Sequence, residues 1–161
     1  MAARTQRPLR DVELDFLDSA PVRLVFTAAL AASPEPVYHA LAVDTEGWSR
    51  WFDAVVSARP TPHGREVVLS GGVRFEETVL AADEPSRYAY RADTVNAPGV
   101  RALLEEWRVV PAPGAAGGSV LRWTVAADGS TATRLTLRLL SPGLRRAFHG
   151  AARALDRGIT G

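Results

Sequence analysis

The feature that most restricts the architecture is a solitary amphipathic helix at the end of a chain that otherwise reads as strand and turn. Over residues 141–159 (SPGLRRAFHGAARALDRGI), Leu144, Ala147, Phe148, Ala151, Leu155 and Ile159 recur at three- and four-residue steps. That spacing stacks them on one helical face. Ser141 is placed to cap the helix, and Pro142 fits its first turn. Arg145, Arg146, Arg153, Asp156 and Arg157 take up the remaining surface. A single apolar stripe must bury against another layer, and the preceding strands offer a sheet that can wrap it.

Residues 22–30 (VRLVFTAAL) are rich in β-branched and aromatic side chains and read as a strand. Ser33, Pro34 and Glu35 supply an N-cap, a first-turn proline and an acid near the positive helix end. They open a short helix through Val43. Asp44 or Thr45 can cap a second helix over 46–52, which carries Trp48, Trp51 and Phe52. Large aromatics crowded on one short helix must bury somewhere. From Ala54 the period becomes that of strands, at 54–59, 65–70, 73–82, 87–94, 100–110 and 119–127, with Pro-, Gly- and Asp-containing turns between them. Sequential antiparallel neighbours follow. The segment 111–118 (PAPGAAGG) reads as a flexible hairpin loop, and 129–140 fits either period but is assigned to a helix leading into the last one.

With 161 residues, the simplest division is one domain over 21–161 preceded by a loosely held arm at 1–20, in which Val12, Leu14, Phe16 and Leu17 can dock. The absence of cysteine excludes disulfides, thiol nucleophiles and thiolate metal sites. All nineteen basic residues are arginine, so Schiff-base catalysis by a side-chain amine is excluded too. A net charge of +1 gives no strong field for nucleic acid or membrane. No apolar run approaches the roughly 18 residues of a membrane span, so membrane insertion is not expected. The N-terminal stretch mixes both charge signs and lacks the apolar middle of a signal peptide, which points to the cytoplasm. His39, His63 and His149 show no paired metal spacing. No Gly-x-Ser-x-Gly elbow and no phosphate loop is present. Neither a metal nor a cofactor is therefore expected.

The order of elements resembles the helix-grip fold of the START-like, or SRPBCC, superfamily, in particular its polyketide cyclase/dehydrase-like branch. The resemblance is carried by residues 32–38 (ASPEPVY), 48–52 (WSRWF), 83–87 (DEPSR), 106–109 (EWRV), 118–123 (GSVLRW) and the closing helix, and it covers about residues 20–158. It implies an α+β helix-grip fold: a curved antiparallel sheet of about seven strands around the C-terminal helix, with two short helices after the first strand. It also implies an elongated cavity for a hydrophobic ligand between sheet and helix. Activities in the superfamily range from lipid and hormone binding to cyclisation and dehydration of polyketides, so the fold does not name the function.

Strand alternation assigns inner faces. Val73, Phe75, Glu77, Val79 and Ala81 share one parity; Tyr88, Tyr90 and Ala92 another. Arg101, Leu103, Glu105, Trp107 and Val109 form a third set, and Leu121, Trp123, Val125 and Ala127 a fourth. A cavity walled by Trp48, Trp51, Phe75, Tyr88, Tyr90, Trp107, Trp123, Phe148 and Ala151 follows. Glu77, Glu105, Tyr90 and His149 are the candidates for acid, base or carbonyl-polarising roles within it. Glu77 and Glu105 could instead pair with arginines such as Arg91, Arg101 or Arg108, and a bulge would reverse either parity. The small residues Ala147, Gly150, Ala151 and Ala152 leave room between helix and sheet, so Ala151→Trp is expected to fill ligand space while sparing the fold.

Three readings follow. The first is a monomeric or homodimeric binder of a small hydrophobic molecule, lipid- or polyketide-like. The second is an aromatase/cyclase or dehydratase acting through the cavity acids. The third is a protein-interaction domain using the 94–100 loop and the helix edge. Converging polar groups in an open cavity would favour the second reading, and exposed apolar surface at 94–100 the third.

Overall fold

Seven strands form one antiparallel path, and the last helix lies across its inner face. The structure is a computed structural model that describes residues 5–114 and 116–161. The first four residues of the expected arm and position 115 of the expected 111–118 loop lie outside the described residues. In chain order the strands are β1 (Arg7–Pro8), β2 (Val22–Leu30), β3 (Val55–Pro60), β4 (Gly64–Leu69), β5 (Arg74–Asp83), β6 (Arg87–Val95), β7 (Val100–Pro111) and β8 (Ser119–Gly129). The helices are α1 (Phe16–Ser19), α2 (Pro34–Tyr38), α3 (Trp48–Trp51), α4 (Thr131–Leu139) and α5 (Ser141–Thr160). A π-helical turn, His39–Val43, continues α2. The sheet order is β2-β8-β7-β6-β5-β4-β3, with β1 paired to β6. β2 and the last strand, β8, are thus neighbours, and the curled sheet holds α5 as the resemblance implies.

The stripe on α5 buries as its spacing requires. Phe148 is fully buried, and Ala151, Ala152 and Leu155 are nearly so. Phe148 stacks with Phe26 of β2 and Trp123 of β8, at centroid distances of 6.0 and 6.1 Å. Asp156 fixes the far end of the helix. Its carboxylate accepts from the backbone amides of Ala31 and Ala32 at 3.0 and 2.9 Å, which satisfies the turn after β2. The near end is joined to α4, whose Ser130 cap accepts from the Thr133 amide at 3.2 Å. Gly99, at φ +86, lets the β6–β7 loop pass against this cap; a Cβ there would run into Thr133 Oγ1.

Several local expectations change. Ser141 is the first helical residue rather than the cap, because Leu140 is already helical and α4 runs almost directly into α5. Ser33 occupies the N-cap of α2 but makes no side-chain cap bond. The described part of the arm is bound rather than loose. Val12, Phe16 and Leu17 pack on Ala102, Leu104 and Ala126, covering the outer face of the sheet. Two bulges alter the inner-face sets. Between Val100 and Ala102 the register slips, and Arg101 becomes exposed instead of turning inward. A second slip between Val79 and Ala81 pairs Ala81 with Ala89 and removes it from the inner set. The 94–100 loop is pinned by Asn96, which accepts from the Arg74 amide at 2.8 Å and donates to Gly72 O at 2.9 Å. Its Val95 is fully buried, and the exposed large apolar side chains lie elsewhere.

The fully packed site at Phe148 sets a quantitative expectation. Phe148→Ala should lower the unfolding free energy by about 3–5 kcal/mol in urea denaturation. Ala151, at 3% exposure, sits in the same packed layer. Ala151→Trp should therefore destabilise the fold by about 1–3 kcal/mol through overpacking, contrary to the sequence expectation that it spares the fold.

Candidate functional site

The inner face of the sheet is not filled everywhere. A cavity of about 240 Å³ lies between β3–β8 and the helices. Trp48, Phe52, Val55, Val67, Leu69, Phe75, Leu103, Trp123 and Val125 supply its apolar walls. Leu137 of α4, with Leu144 and Ala147 of α5, closes it from the helix side. Four polar side chains share the remaining wall: Arg65, Glu77, Tyr90 and Glu105.

Cross-strand register brings those four together. Arg65 of β4 lies opposite Glu77 of β5, and Tyr90 of β6 lies opposite Glu105 of β7. Arg65 Nε donates to Glu77 Oε2 at 2.6 Å, and the two side chains are only 3% and 6% exposed. The guanidinium is sandwiched between rings, 4.0 Å from the Trp48 centroid and 4.2 Å from that of Tyr90. Its Nη1 is buried and has no hydrogen-bond acceptor among the described residues. Glu105 Oε2 accepts from the Tyr90 hydroxyl at 2.7 Å and from Trp123 Nε1 at 2.9 Å. The Tyr90 oxygen in turn accepts from Trp107 Nε1 at 3.0 Å.

Burial raises the Glu77 carboxyl to about 7, working against the attraction of Arg65. Burial also raises Glu105, although the Tyr90 and Trp123 donors and the Arg65 charge oppose it. Burial pushes the Tyr90 hydroxyl well above its ordinary value, and the Glu105 charge adds to the effect. For Arg65, desolvation works against the charge, but the Glu77 carboxylate more than offsets it and keeps the guanidinium protonated. The wall thus offers one fixed cation, one carboxyl that titrates near neutrality, and one carboxyl engaged by neutral donors.

Of the residues expected around the site, Trp48, Phe75, Tyr90 and Trp123 line the cavity together with Glu77 and Glu105. Trp107, Phe148, Tyr88 and Ala151 lie in the packed core that supports it and do not line it. Trp51 lines a separate groove with His39 and the end of α5. His149 does not reach the cavity either. It lies beside Phe148, in a groove with Thr27, Ala28 and Asp156 on the other flank of the helix. The suggested partners Arg91, Arg101 and Arg108 do not meet the two acids: Glu77 takes Arg65, and Glu105 takes no arginine. Arg65 was absent from the candidates. Its signal was available, because Arg65 shares strand parity with Val67 and Leu69. Among the described residues, no group of acids and histidines could hold a metal ion.

The curled sheet gripping one long helix around a lined cavity defines the protein as a START-like, helix-grip domain. Solved structures of this shape include a START superfamily protein from Mycobacterium smegmatis, with a TM-score of 0.63 at 14% identity over 85% of this chain and 96% of that one. The protein XoxI from Bacillus cereus gives a TM-score of 0.66 at 15% identity, over 86% and 95%. Residues 21–159 match the family described as polyketide cyclase / dehydrase and lipid transport. The uncharacterized protein Rv2574 of Mycobacterium tuberculosis is 31% identical over 157 residues, covering 93% of this chain and 92% of that protein. The chain belongs to the polyketide cyclase/dehydrase and lipid transport family.

The raised Glu77 has a measurable consequence. The native state holds this proton more tightly than the unfolded chain does. The stability it contributes is complete below the ordinary value of 4.5 and is lost as pH rises through about 7. Chemical denaturation between pH 4.5 and 8 should show a declining unfolding free energy, with a shallower decline for Glu77→Gln. Equal slopes in the two proteins would show that Glu77 does not titrate in this window.

Proposed function

We propose that the protein binds a small, largely apolar molecule in the cavity, with an oxygen of that molecule accepting from the Arg65 guanidinium. The observation that supports this is the combination of apolar and aromatic walls with a buried cation whose Nη1 has no acceptor among the described residues. Apolar pockets with few polar groups fix orientation through those groups. Family membership supports hydrophobic-ligand binding in general; the size of the cavity narrows it. An apolar cavity of roughly 150 Å³ admits benzene, and this one has about 240 Å³. Pockets that enclose drug-sized ligands run to about 300–1,000 Å³. The cavity therefore suits one or two fused rings or a short acyl chain.

The second reading is proton transfer of the cyclase or dehydratase kind. The observation in its favour is Glu77, held near neutrality on the cavity wall beside a cation. A carboxylate in that position can take a proton from carbon next to a carbonyl, while Arg65 stabilises the oxygen of the resulting enolate.

Titration with 1-tetralone and its oxygen-free counterpart tetralin, followed by tryptophan fluorescence of Trp48 and Trp123, tests both readings. The wild type should take up both compounds and prefer the ketone. Ala147→Trp should abolish uptake. The double variant Arg65→Met/Glu77→Leu exchanges the ion pair for apolar groups, often a tolerated change. It should keep tetralin and lose roughly tenfold or more of the ketone preference. Uptake unaffected by Ala147→Trp would place binding outside this cavity. Deuterium exchange at the ketone's α-carbon, lost in Glu77→Gln with binding retained, would favour the proton-transfer reading.

A further inference from the structure

Charge is segregated along this chain in a way the net value conceals. Residues 131–161 carry six arginines and one acid, a formal +5, whereas residues 1–130 carry thirteen arginines and seventeen acids, a formal −4. The one acid of the helical segment, Asp156, is engaged by the amides of Ala31 and Ala32. The same segment carries three of the six exposed large apolar side chains among the described residues: Leu135 at 56%, Leu139 at 71% and Leu140 at 54%. Leu135 and Leu139 are four residues apart and so share a face of α4.

Four of the six arginines divide into two sets. Arg134 is paired with Asp128 at 2.8 Å, and Arg138 donates to Pro21 O at 2.9 Å, so both hold α4 to the sheet. Arg145 and Arg146, in the first turns of α5, are exposed and form no ion pair among the described residues. Leucines and cations outside any ion pair therefore meet at the α4–α5 corner, Arg145 with its guanidinium 5.7 Å from the Phe26 ring. Leu137 and Leu144, from the same two helices, line the cavity.

We infer that this corner docks on an anionic lipid surface. Leu135, Leu139 and Leu140 enter the apolar boundary while Arg145 and Arg146 meet the phosphates of the headgroups. Charge favours this occupant over a second copy of the chain, since two such corners repel each other. No helix of the described residues is long and apolar enough to cross a membrane, so the contact is peripheral. Docking in this orientation brings the α4 side of the cavity to the lipid, where an apolar molecule can pass between bilayer and protein without entering bulk water. The docking surface is independent of which molecule the cavity holds.

Co-sedimentation of the full chain with phosphatidylcholine vesicles, with and without phosphatidylglycerol, tests the inference. The protein should sediment with the anionic vesicles at low salt and be released as salt rises. Leu135→Glu/Leu139→Glu and Arg145→Glu/Arg146→Glu should each weaken the partition by roughly tenfold or more. Their melting temperatures and cavity binding should stay close to wild-type values, because all four side chains are exposed. Arg59→Glu, an exposed arginine on β3, should retain vesicle binding. Failure to sediment with anionic vesicles overturns the inference. So does an equal loss in Arg59→Glu, which would reduce the effect to net charge. A dimer in light scattering that Leu135→Glu/Leu139→Glu dissolves would assign the corner to self-association instead.

Discussion

A guanidinium buried against a carboxylate inside an apolar layer is the constraint that shapes this interior. Removing two such ions from water costs several kcal/mol each. The Arg65–Glu77 pair recovers much of that through close contact, and the ring faces of Trp48 and Tyr90 enclose the rest of the cation. Those rings must themselves be held. Trp48 Nε1 donates to Leu41 O at 3.0 Å, inside the π-helical turn. Trp48 also meets Trp107 edge-on at 5.4 Å, and Trp107 anchors the Tyr90 hydroxyl. The short aromatic helix, the irregular turn before it and the central strands thus depend on one another through a single ion pair.

The strand β7 shows how position alone divides like residues. Glu105 and Glu106 are consecutive and so point to opposite faces. Glu105 faces the cavity and receives a hydroxyl and an indole N–H. Glu106 faces outward, is buried, and is met by Arg87 at 2.6 Å, Arg108 at 3.0 Å and Arg122 at 3.9 Å. Arginines thus surround the outer acid, while the inner one is held by donors that bring no charge. That leaves Arg65 as the one cation in the cavity wall among the described residues.

Much of this was legible in the sequence because it rests on short-range periodicity. The α5 stripe, the strand order and the inward parity of Glu77, Tyr90, Glu105 and Trp123 all follow from spacing. What spacing does not carry is the register between strands. The slips at Arg101 and Leu80 each leave one residue of its own strand without a cross-strand partner, and that pairing is not recorded in the alternation of side-chain types. The same limit hid the choice of partner for Glu77, which pairs across β4–β5 rather than with any arginine proposed. Which aromatics line the cavity and which pack beneath it depends on how deep α5 settles, and no one-dimensional pattern records depth. Phe148 and Ala151 are core for that reason, whereas Ala147, one turn nearer the start of α5, lines the cavity.

The Asp156 contact has a consequence for motion. The C-terminal half of α5 is fastened to the turn after β2 by two hydrogen bonds from a carboxylate. At the other end, α4 has no fully buried residue. What holds α4 is polar: Arg134 on Asp128 and Arg138 on Pro21 O. Local opening therefore has the least to break at α4, where Leu137 closes the cavity. Phe148 and Leu155 seat the middle of α5, so opening at α4 leaves that helix in place and frees only the Leu137 wall.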